Sequence, residues 1–428
     1  MDRRNLQNLD ANRAHDPVAI PLNRPSAFAK ATADESGTFS PNGGEGRDEG
    51  VRFMEKQMRS KCFFIGIGLY PGAVPRHFMA LGRELARRGH KVVILSWPPR
   101  AEIENHDGNP AVWSWPSPRP TRFKDARFLH KLTRQYRPNC FIANFGAQNV
   151  MTLVGAVCRV PVRFCWHHTL ADAIALDGGG LRTRQRFQML RKSCLLRLAT
   201  HIVANSKASA DDAKMMYGVP DRKCRVFHFS LPDPRAGAND LNGFQADRHL
   251  VCVGRLAGCK GQDVLVKAAA KLKNQGVQFV LQFIGDGPMA GSLRTLASDL
   301  NVADRCQFLG NLSHEAVLQH MARSTATVVP SKSEAFGLVC VESLAVGVPV
   351  VASRVGGIPE IIRDGLDGFL VPPSDPGALA EKLALLLSDS TLRRTMRRNA
   401  RERFLSTFEQ QHVITQQADW FEQILCAT

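Results

Sequence analysis

His249-Leu-Val-Cys-Val-Gly-Arg-Leu-Ala-Gly-Cys-Lys-Gly261 is a short apolar run that breaks into a glycine-rich loop carrying two cations. Such an unbroken apolar run suits a strand buried on both faces, and strands of that kind belong to parallel sheets. The following residues keep the pattern. Asp263 to Lys273 has helical spacing, Gln278-Phe-Val-Leu-Gln-Phe-Ile-Gly285 reads as a second strand, and the alternation continues through Ala326-Thr-Val-Val-Pro330 and Pro349-Val-Val-Ala352. Strand, helix and strand in series indicate an α/β domain with a parallel sheet.

The same pattern runs earlier in the chain. Cys62-Phe-Phe-Ile-Gly-Ile-Gly68 is followed by a Tyr70-Pro71-Gly72 turn, then by Phe78, Met79, Leu81, Leu85 and Ala86 at helical spacing. Gly89 stands where a helix C-cap belongs, and Lys91-Val-Val-Ile-Leu-Ser96 is the next strand. Further strands are read at Cys140 to Asn144, Val162 to Trp166 and His201 to Ala204, the last entering a helix that Ser206 caps. Asp233 to Ala246 is polar, rich in Pro, Gly, Asn and Asp, and without periodicity, as expected of a linker. The expected organisation is an extension at 1–57, a first domain at 58–232, a linker at 233–246, a second domain at 247–405 and a C-terminal helix at 406–428. Ligands of such sheets lie at the carboxyl ends of the strands, so a cleft faced by both domains is the expected site.

The 428 residues suffice for two domains, and 44% hydrophobic with 22% charged residues excludes global disorder. Residues 1–57 are different in composition, polar and glycine-rich, and are expected to be disordered, with Met54 or Met58 as an alternative start. The longest apolar stretches, such as Cys62 to Tyr70, fall short of the roughly 18 residues a membrane helix needs, and the first thirty residues contain no signal-peptide core. Eleven cysteines without a C-x-x-C pair point to reduced thiols and no zinc site. The expected location is cytoplasmic, including a peripheral place at the inner face of the cell membrane.

The net charge of +17 is unevenly placed. Residues 58–245 hold 29 basic against 12 acidic groups, while 246–428 hold 19 against 18. This excess serves solubility, or it meets an acidic partner such as anionic lipid. Arg182, Arg184, Arg186, Arg191, Lys192 and Arg197 interleave with Leu181, Phe187, Met189, Leu190, Leu195 and Leu196, which reads as a basic amphipathic helix for a membrane surface or as an ordinary domain-surface helix. With 3 Tyr, 5 Trp and no recognisable module, nucleic acid is not an expected partner.

Three loops at strand ends describe a nucleoside-diphosphate site. In the first, glycines including Gly254 allow close backbone approach, and Arg255 and Lys260 supply a fixed fork and a mobile ammonium for a diphosphate without a metal. The second is Val329-Pro-Ser-Lys-Ser-Glu-Ala-Phe-Gly337, leading into an apolar helix. There the amides around Ala335, Phe336, Gly337 and Leu338 suit phosphate or sugar oxygens, Glu334 suits sugar hydroxyls, and Glu342 suits both ribose hydroxyls. The third is Ser353-Arg-Val-Gly-Gly-Ile-Pro-Glu360, and Gly285-Asp-Gly287-Pro288 lies where a nucleobase rests. Read singly, each loop is also an ordinary surface turn.

Together, in this order and spacing, Gly254-Arg-Leu…Lys260-Gly261, Gly285-Asp-Gly-Pro288, Pro330-Ser…Glu334-Ala-Phe-Gly…Glu342 and Gly356-Gly-Ile-Pro-Glu360 resemble the donor domain of retaining family-4 glycosyltransferases of the GT-B fold. The resemblance covers roughly residues 60–425 and is strongest over 249–372. It implies two Rossmann-like domains, a nucleotide-sugar donor as co-substrate with no cofactor, and metal-independent hexosyl transfer with retention. The acceptor, lipid-linked or saccharide, is expected on the first domain. Within that domain Gly72 matches a glycine of the family's first loop, but Ala73 replaces a second one. His168, after the strand ending at Trp166, resembles the family histidine that contacts the donor sugar, and His167 reads as structural. Arg255, Lys260, Glu334 and His168 are thus the expected catalytic set, with Gly72, Gly254, Gly285, Gly287, Ala335, Phe336, Gly337, Leu338 and Glu342 binding donor. The competing readings are a sugar-nucleotide epimerase or an inactive nucleotide-sugar-binding protein of the same architecture.

Overall fold

The computed structural model describes residues 60–68, 72–97, 105–172, 176, 182–236 and 248–428, except for the side chains of 182–188. The expected extension at 1–57, Tyr70, Pro71 and positions 237–246 of the expected linker lie outside the described residues.

Strands and helices alternate throughout. The first half runs β1 (Cys62–Gly68), α1 (Ala73–Arg87), β2 (Lys91–Trp97), β3 (Ala111–Ser114), α2 (Phe123–Tyr136), β4 (Cys140–Ala143), α3 (Gln148–Val157), β5 (Val162–His167), α4 (Arg182–Leu198), β6 (His201–Ala204), α5 (Lys207–Tyr217) and β7 (Cys224–Val226). The second runs β8 (His249–Val253), α6 (Gln262–Asn274), β9 (Val280–Ile284), α7 (Ala290–Asp299), β10 (Cys306–Gly310), α8 (His314–Ala322), β11 (Ala326–Val329), α9 (Leu338–Ala345), β12 (Val350–Ser353), α10 (Ile358–Ile361), β13 (Gly368–Val371), α11 (Pro376–Ser388), α12 (Ser390–Thr407) and α13 (Gln410–Cys426).

Every named strand pair is parallel, in two sheets ordered β3-β2-β1-β4-β5-β6-β7 and β10-β9-β8-β11-β12-β13. Each order reverses once, between β1 and β4 and between β8 and β11. Adjacent loops diverge there at the carboxyl ends of the strands, which leaves a crevice in each sheet. The strand expected at Gln278 to Gly285 is shorter, because its pairing with β8 starts only at Val280 opposite His249.

Local chemistry explains the helices that frame these crevices. α1 buries His77, Phe78, Leu81 and Leu85 along one stripe and stops before Gly89, whose φ of +89° no side chain favours. The Ser206 hydroxyl accepts the Ser209 N–H at 2.9 Å and so caps α5, which ends at Gly218 in the left-handed region. Among its described side chains, α4 does not separate cations from apolar residues. It packs between α3 and α5, so Lys192 turns inward with Nζ 4.3 Å from the Tyr217 ring centre, while Leu190 is 64% exposed. Burial brings the Lys192 ammonium down to about 8. Over its described side chains α4 packs as a domain-surface helix, one of its two readings, while Leu181 and the side chains of Arg182, Arg184, Arg186 and Phe187 lie outside the described residues.

One core cluster joins the two halves. It runs from Phe63, Phe78 and Phe164 through Phe229 and Leu231 to Phe336, Phe404, Phe408 and Phe421. α13 crosses back onto α1, where Gln417 bonds His77 at 3.0 Å and Glu422 bonds His90 at 2.9 Å. Arg88 meets Asp419 at 2.6 Å and Glu422 at 2.8 Å. The described start of the linker is held by the second half: Asp233 pairs with Arg401 at 2.5 Å, and Arg235 donates to the Val346 carbonyl at 2.6 Å. No helix among the described residues is long and apolar enough to cross a membrane.

Candidate active site

The loops after β8 and β11 flank the crevice of the second sheet, and this places their polar residues together. The Lys332 N–H donates to the Cys259 carbonyl at 2.8 Å, locking one loop to the other. At this junction Lys260 Nζ lies 2.7 Å from Glu334 Oε2, with both side chains partly buried. Burial lowers the Lys260 pKa, but the charge and hydrogen bond of Glu334 outweigh it, so the ammonium stays protonated above its ordinary value. A cation and a carboxylate expected to serve phosphate and sugar separately therefore form a preassembled pair. Arg255, five positions before Lys260, is exposed on the same loop.

Glycines set the spacing between the loops. Gly356 has φ +51°, and a Cβ there would run into the Glu334 carbonyl, while the Gly357 N–H donates to that same carbonyl at 3.1 Å. The third loop thus supports the main chain of Glu334 from behind. Gly356→Ala is expected to cost about 2–3 kcal/mol by forcing both a left-handed alanine and a displaced Glu334. Thermal unfolding should show a lowered Tm, and a compensating shift of Glu334 should lower turnover as well. Gly285 is similarly confined: its φ is +126° and its Cβ would strike the Gly254 carbonyl. Gly287 packs against the Leu256 main chain, so the loops after β8 and β9 rest on one another. The Leu256 N–H donates to the Asp286 carbonyl at 3.0 Å across that contact.

Ala335 and Phe336 lead to Gly337, which has φ +108° and precedes α9. The first amides of α9, including Leu338, have no partner within their own helix and carry its positive end. Glu342 lies inside α9 with its side chain 12% exposed and 3.6 Å from His314 Nδ1. Burial pushes its carboxyl up to about 7, opposed by Arg76, which approaches from α1 of the first half. Glu342 therefore faces the junction between the halves.

In the first sheet, His168 follows β5 and reaches the residue after the neighbouring strand β4, on one side of the crevice. Its Nε2 is 3.0 Å from Asn144 Oδ1, and Asn144 Nδ2 donates to the Gly66 carbonyl at 3.1 Å. An acceptor opposite Nε2 makes that nitrogen the N–H donor, leaving Nδ1 as the acceptor. That Nδ1 is buried and unpartnered in the structure, and burial holds the ring well below its ordinary pKa. A neutral imidazole with one idle acceptor is suited to a sugar hydroxyl. The Phe145 ring stacks on it at 4.1 Å. His167 instead bonds Asp212 at 2.9 Å and has the structural position read from the sequence. Gly72 sits at the N-cap of α1 in extended backbone, and Ala73 opens the helix itself, a conformation that alanine readily adopts.

Contacts between the halves bring in Asp172, Lys207 and His228, which the sequence did not single out for function. Ser206 Oγ donates to the Ala335 carbonyl at 2.5 Å, Ser333 Oγ to Asp172 Oδ1 at 2.7 Å, and Glu360 Oε1 accepts the Lys207 N–H at 2.7 Å. His228 bonds the other Glu360 oxygen at 3.0 Å. Asn144, Phe145, Arg76 and His314 also join the site only in three dimensions. Asn144 had one signal, its place at the carboxyl end of a strand. Among the described residues no cluster of three His, Cys, Asp or Glu is arranged to hold a metal.

Residues 74–229 match the family model described as Glycosyltransferase Family 4, and residues 239–403 match that described as Glycosyl transferases group 1. The chain belongs to glycosyltransferase family 4. The D-inositol 3-phosphate glycosyltransferase of Acidothermus cellulolyticus is 34% identical over 251 residues, 54% of this chain and 56% of that protein. That of Mycolicibacterium vanbaalenii is 35% identical over 207 residues, 44% of this chain and 46% of that protein. The chain spans about half the length of the curated relatives it matches. Among solved structures, sucrose-phosphate synthase from Thermosynechococcus elongatus superposes with a TM-score of 0.70 at 22% identity, covering 86% of this chain and all (100%) of that one. Anabaena HepE, solved with UDP and glucose, gives 0.66 at 19% identity, covering 85% and 99%. These likenesses show the GT-B fold. In this family-4 chain the Lys260–Glu334 pair spans the strand-order reversal of the second sheet, and Asn144, bonded to His168, spans that of the first through the Gly66 carbonyl.

Proposed function

We propose that the chain transfers a hexosyl group from a nucleoside-diphosphate sugar to a lipid-linked or saccharide acceptor, retaining the anomeric configuration. The observation that carries this reading is the Lys260–Glu334 pair, fixed at 2.7 Å where the crevice of the second sheet opens. The solved complexes of Anabaena HepE with UDP and with UDP-glucose support a nucleotide-sugar donor. The phosphorylated inositol in the relatives' names supports an acceptor bearing phosphate, as does the basic excess of residues 58–245.

In this reading Arg255, Lys260 and the first amides of α9 receive the diphosphate, and Glu334 and His168 Nδ1 orient the sugar. As the anomeric carbon–phosphate oxygen bond breaks, negative charge grows on the leaving phosphate, where the cations and amides already point. The acceptor oxygen bonds the anomeric carbon on the same face, and its proton passes to the departing phosphate oxygen. Positioning and electrostatics supply the acceleration, with no step through a metal.

The test is transfer by the full chain from UDP-, GDP- and ADP-linked α-hexoses, with products read by NMR. An acceptor-dependent α-linked product is the expected result. A β-linked product contradicts retention, and conversion of the nucleotide sugar without acceptor indicates an epimerase instead.

Glu342 makes this site pH-dependent. Its carboxyl is raised to about 7 by burial, so the free protein prefers it neutral. Its contribution to the stability of the free protein is full below the unfolded value and is lost as pH rises toward 7. Ribose binding needs the carboxylate, so donor affinity is expected to rise about tenfold between pH 6 and pH 8. Isothermal titration across that range should show the rise, and Glu342→Gln should flatten it.

A further inference from the structure

A groove of about 1020 Å³ opens on the first half between α2, α3 and α4, apart from the crevice that holds Lys260 and Glu334. That volume is at the upper end of what small-molecule sites occupy. Its walls carry two kinds of chemistry. Arg119 and Arg122 come from the segment before α2 and Arg191 from α4, all three exposed. Beside them Phe123 is 83% exposed, Leu153 48% and Leu198 37%, large apolar side chains normally covered. Asp125, the acidic residue nearest Arg122 in sequence, does not neutralise the cluster. It is fully buried, with Oδ2 accepting the Thr121 and Arg122 backbone N–H groups at 3.0 and 2.8 Å.

The inner end of the groove is Phe145. Its backbone has φ +37°, a strained value for an aromatic residue, and strain of this kind persists where the surroundings impose it. Its ring lines the groove and stacks on His168 at 4.1 Å, so the groove lies one aromatic ring away from the histidine with the idle Nδ1. A ligand lying in the groove would therefore extend toward the sugar-binding end of the candidate active site.

We propose that this groove is the acceptor site, and that it selects an amphiphile whose phosphate lies among Arg119, Arg122 and Arg191 and whose apolar chain covers Phe123, Leu153 and Leu198. The proposal rests on the transferase reading above. Charge complementarity fixes the headgroup as anionic, because three guanidiniums line one groove and each favours phosphate. The exposed apolar wall fixes the tail, because a hydrophilic saccharide would leave it in water.

The test is binding of monomeric farnesyl phosphate to the full chain by isothermal titration, beside geranyl phosphate, farnesol and inorganic phosphate. Each additional buried methylene is expected to raise affinity about fourfold, so farnesyl phosphate binds more tightly than geranyl phosphate, and farnesol and inorganic phosphate bind far more weakly. The double variant Arg119→Glu, Arg191→Glu and the single variant Leu153→Asp are each expected to weaken farnesyl phosphate at least tenfold. Stabilisation by donor nucleotide, measured on the same samples, should persist and shows that the variants are folded. Unchanged affinity in both variants overturns the proposal, as does equal binding of inorganic phosphate. Binding only to vesicles assigns the face to a membrane and also overturns an acceptor site. If the amphiphile binds as expected but no donor nucleotide stabilises wild type, the transferase reading fails and the groove loses its acceptor role with it.

Discussion

Lys260→Ala is expected to lower kcat roughly 10²- to 10³-fold, the range found when one preorganised electrostatic donor is removed from an active site. The effect is large because the ammonium is already in place before substrate arrives. Lys260 is positioned by Glu334 at 2.7 Å, and Glu334 by the main-chain contact with Gly356 and Gly357. Removing the cation also leaves a partly buried carboxylate without its partner. Breaking a fully buried pair costs about 3–5 kcal/mol, and partial exposure of this one brings the expected loss to about 1–2 kcal/mol. Steady-state kinetics should therefore show a fall in kcat far larger than any change in Tm accounts for. Glu334→Gln separates the two roles. It keeps the shape and removes the charge, so diphosphate binding should survive while sugar transfer falls. Equal losses of nucleotide binding in both variants would show that the pair is only a structural clamp.

The second large effect concerns the C-terminal helix. A chain ending at Glu409 loses Ile414, Ala418, Phe421 and Leu425 from the core cluster that joins the two halves, and the buried Val413 with them. Each large side chain contributes about 1.5–3 kcal/mol, and a typical domain has only about 5–15 kcal/mol in total. The shortened chain is thus expected to unfold or aggregate. Phe421→Ala is the graded version. Its ring centre is 4.6 Å from that of Phe164 and its side chain is fully buried, so the cavity should cost about 3–5 kcal/mol. Denaturant unfolding should show the lower midpoint. An unchanged midpoint in Phe421→Ala would mean that α13 contributes little to the joined fold.

The sequence made the two sheets legible because their central strands are unbroken apolar runs, β1, β2 and β8 above all. β3, β7 and β10 were not readable in that way. They lie at or beside sheet edges, are only partly buried, and lack a continuous apolar signature. The donor-side residues were legible because glycine loops and charged residues follow strands at fixed spacing. What the sequence could not show is pairing across the fold. Lys260 and Glu334 are 74 positions apart, His168 and Asn144 are 24 apart, and Glu360 reaches a helix start 153 positions away. Such contacts depend on strand order, which local pattern does not contain. The pattern of α4 left two readings open for a related reason: an amphipathic pattern cannot tell lipid from neighbouring helices as the covering surface.

Thermal unfolding of the full chain with UDP-, GDP- and ADP-sugars, beside Lys260→Ala and Glu342→Gln, tests the donor site most directly. A ligand present at 100 times its Kd stabilises the native state by about 2.7 kcal/mol, enough for a clear rise in Tm. One nucleotide class should raise the Tm of wild type, and both variants should lose most of that rise while remaining folded. If no nucleotide sugar stabilises the folded wild type, or if the variants gain as much as wild type does, the cation and carboxylates at the second crevice do not bind a donor.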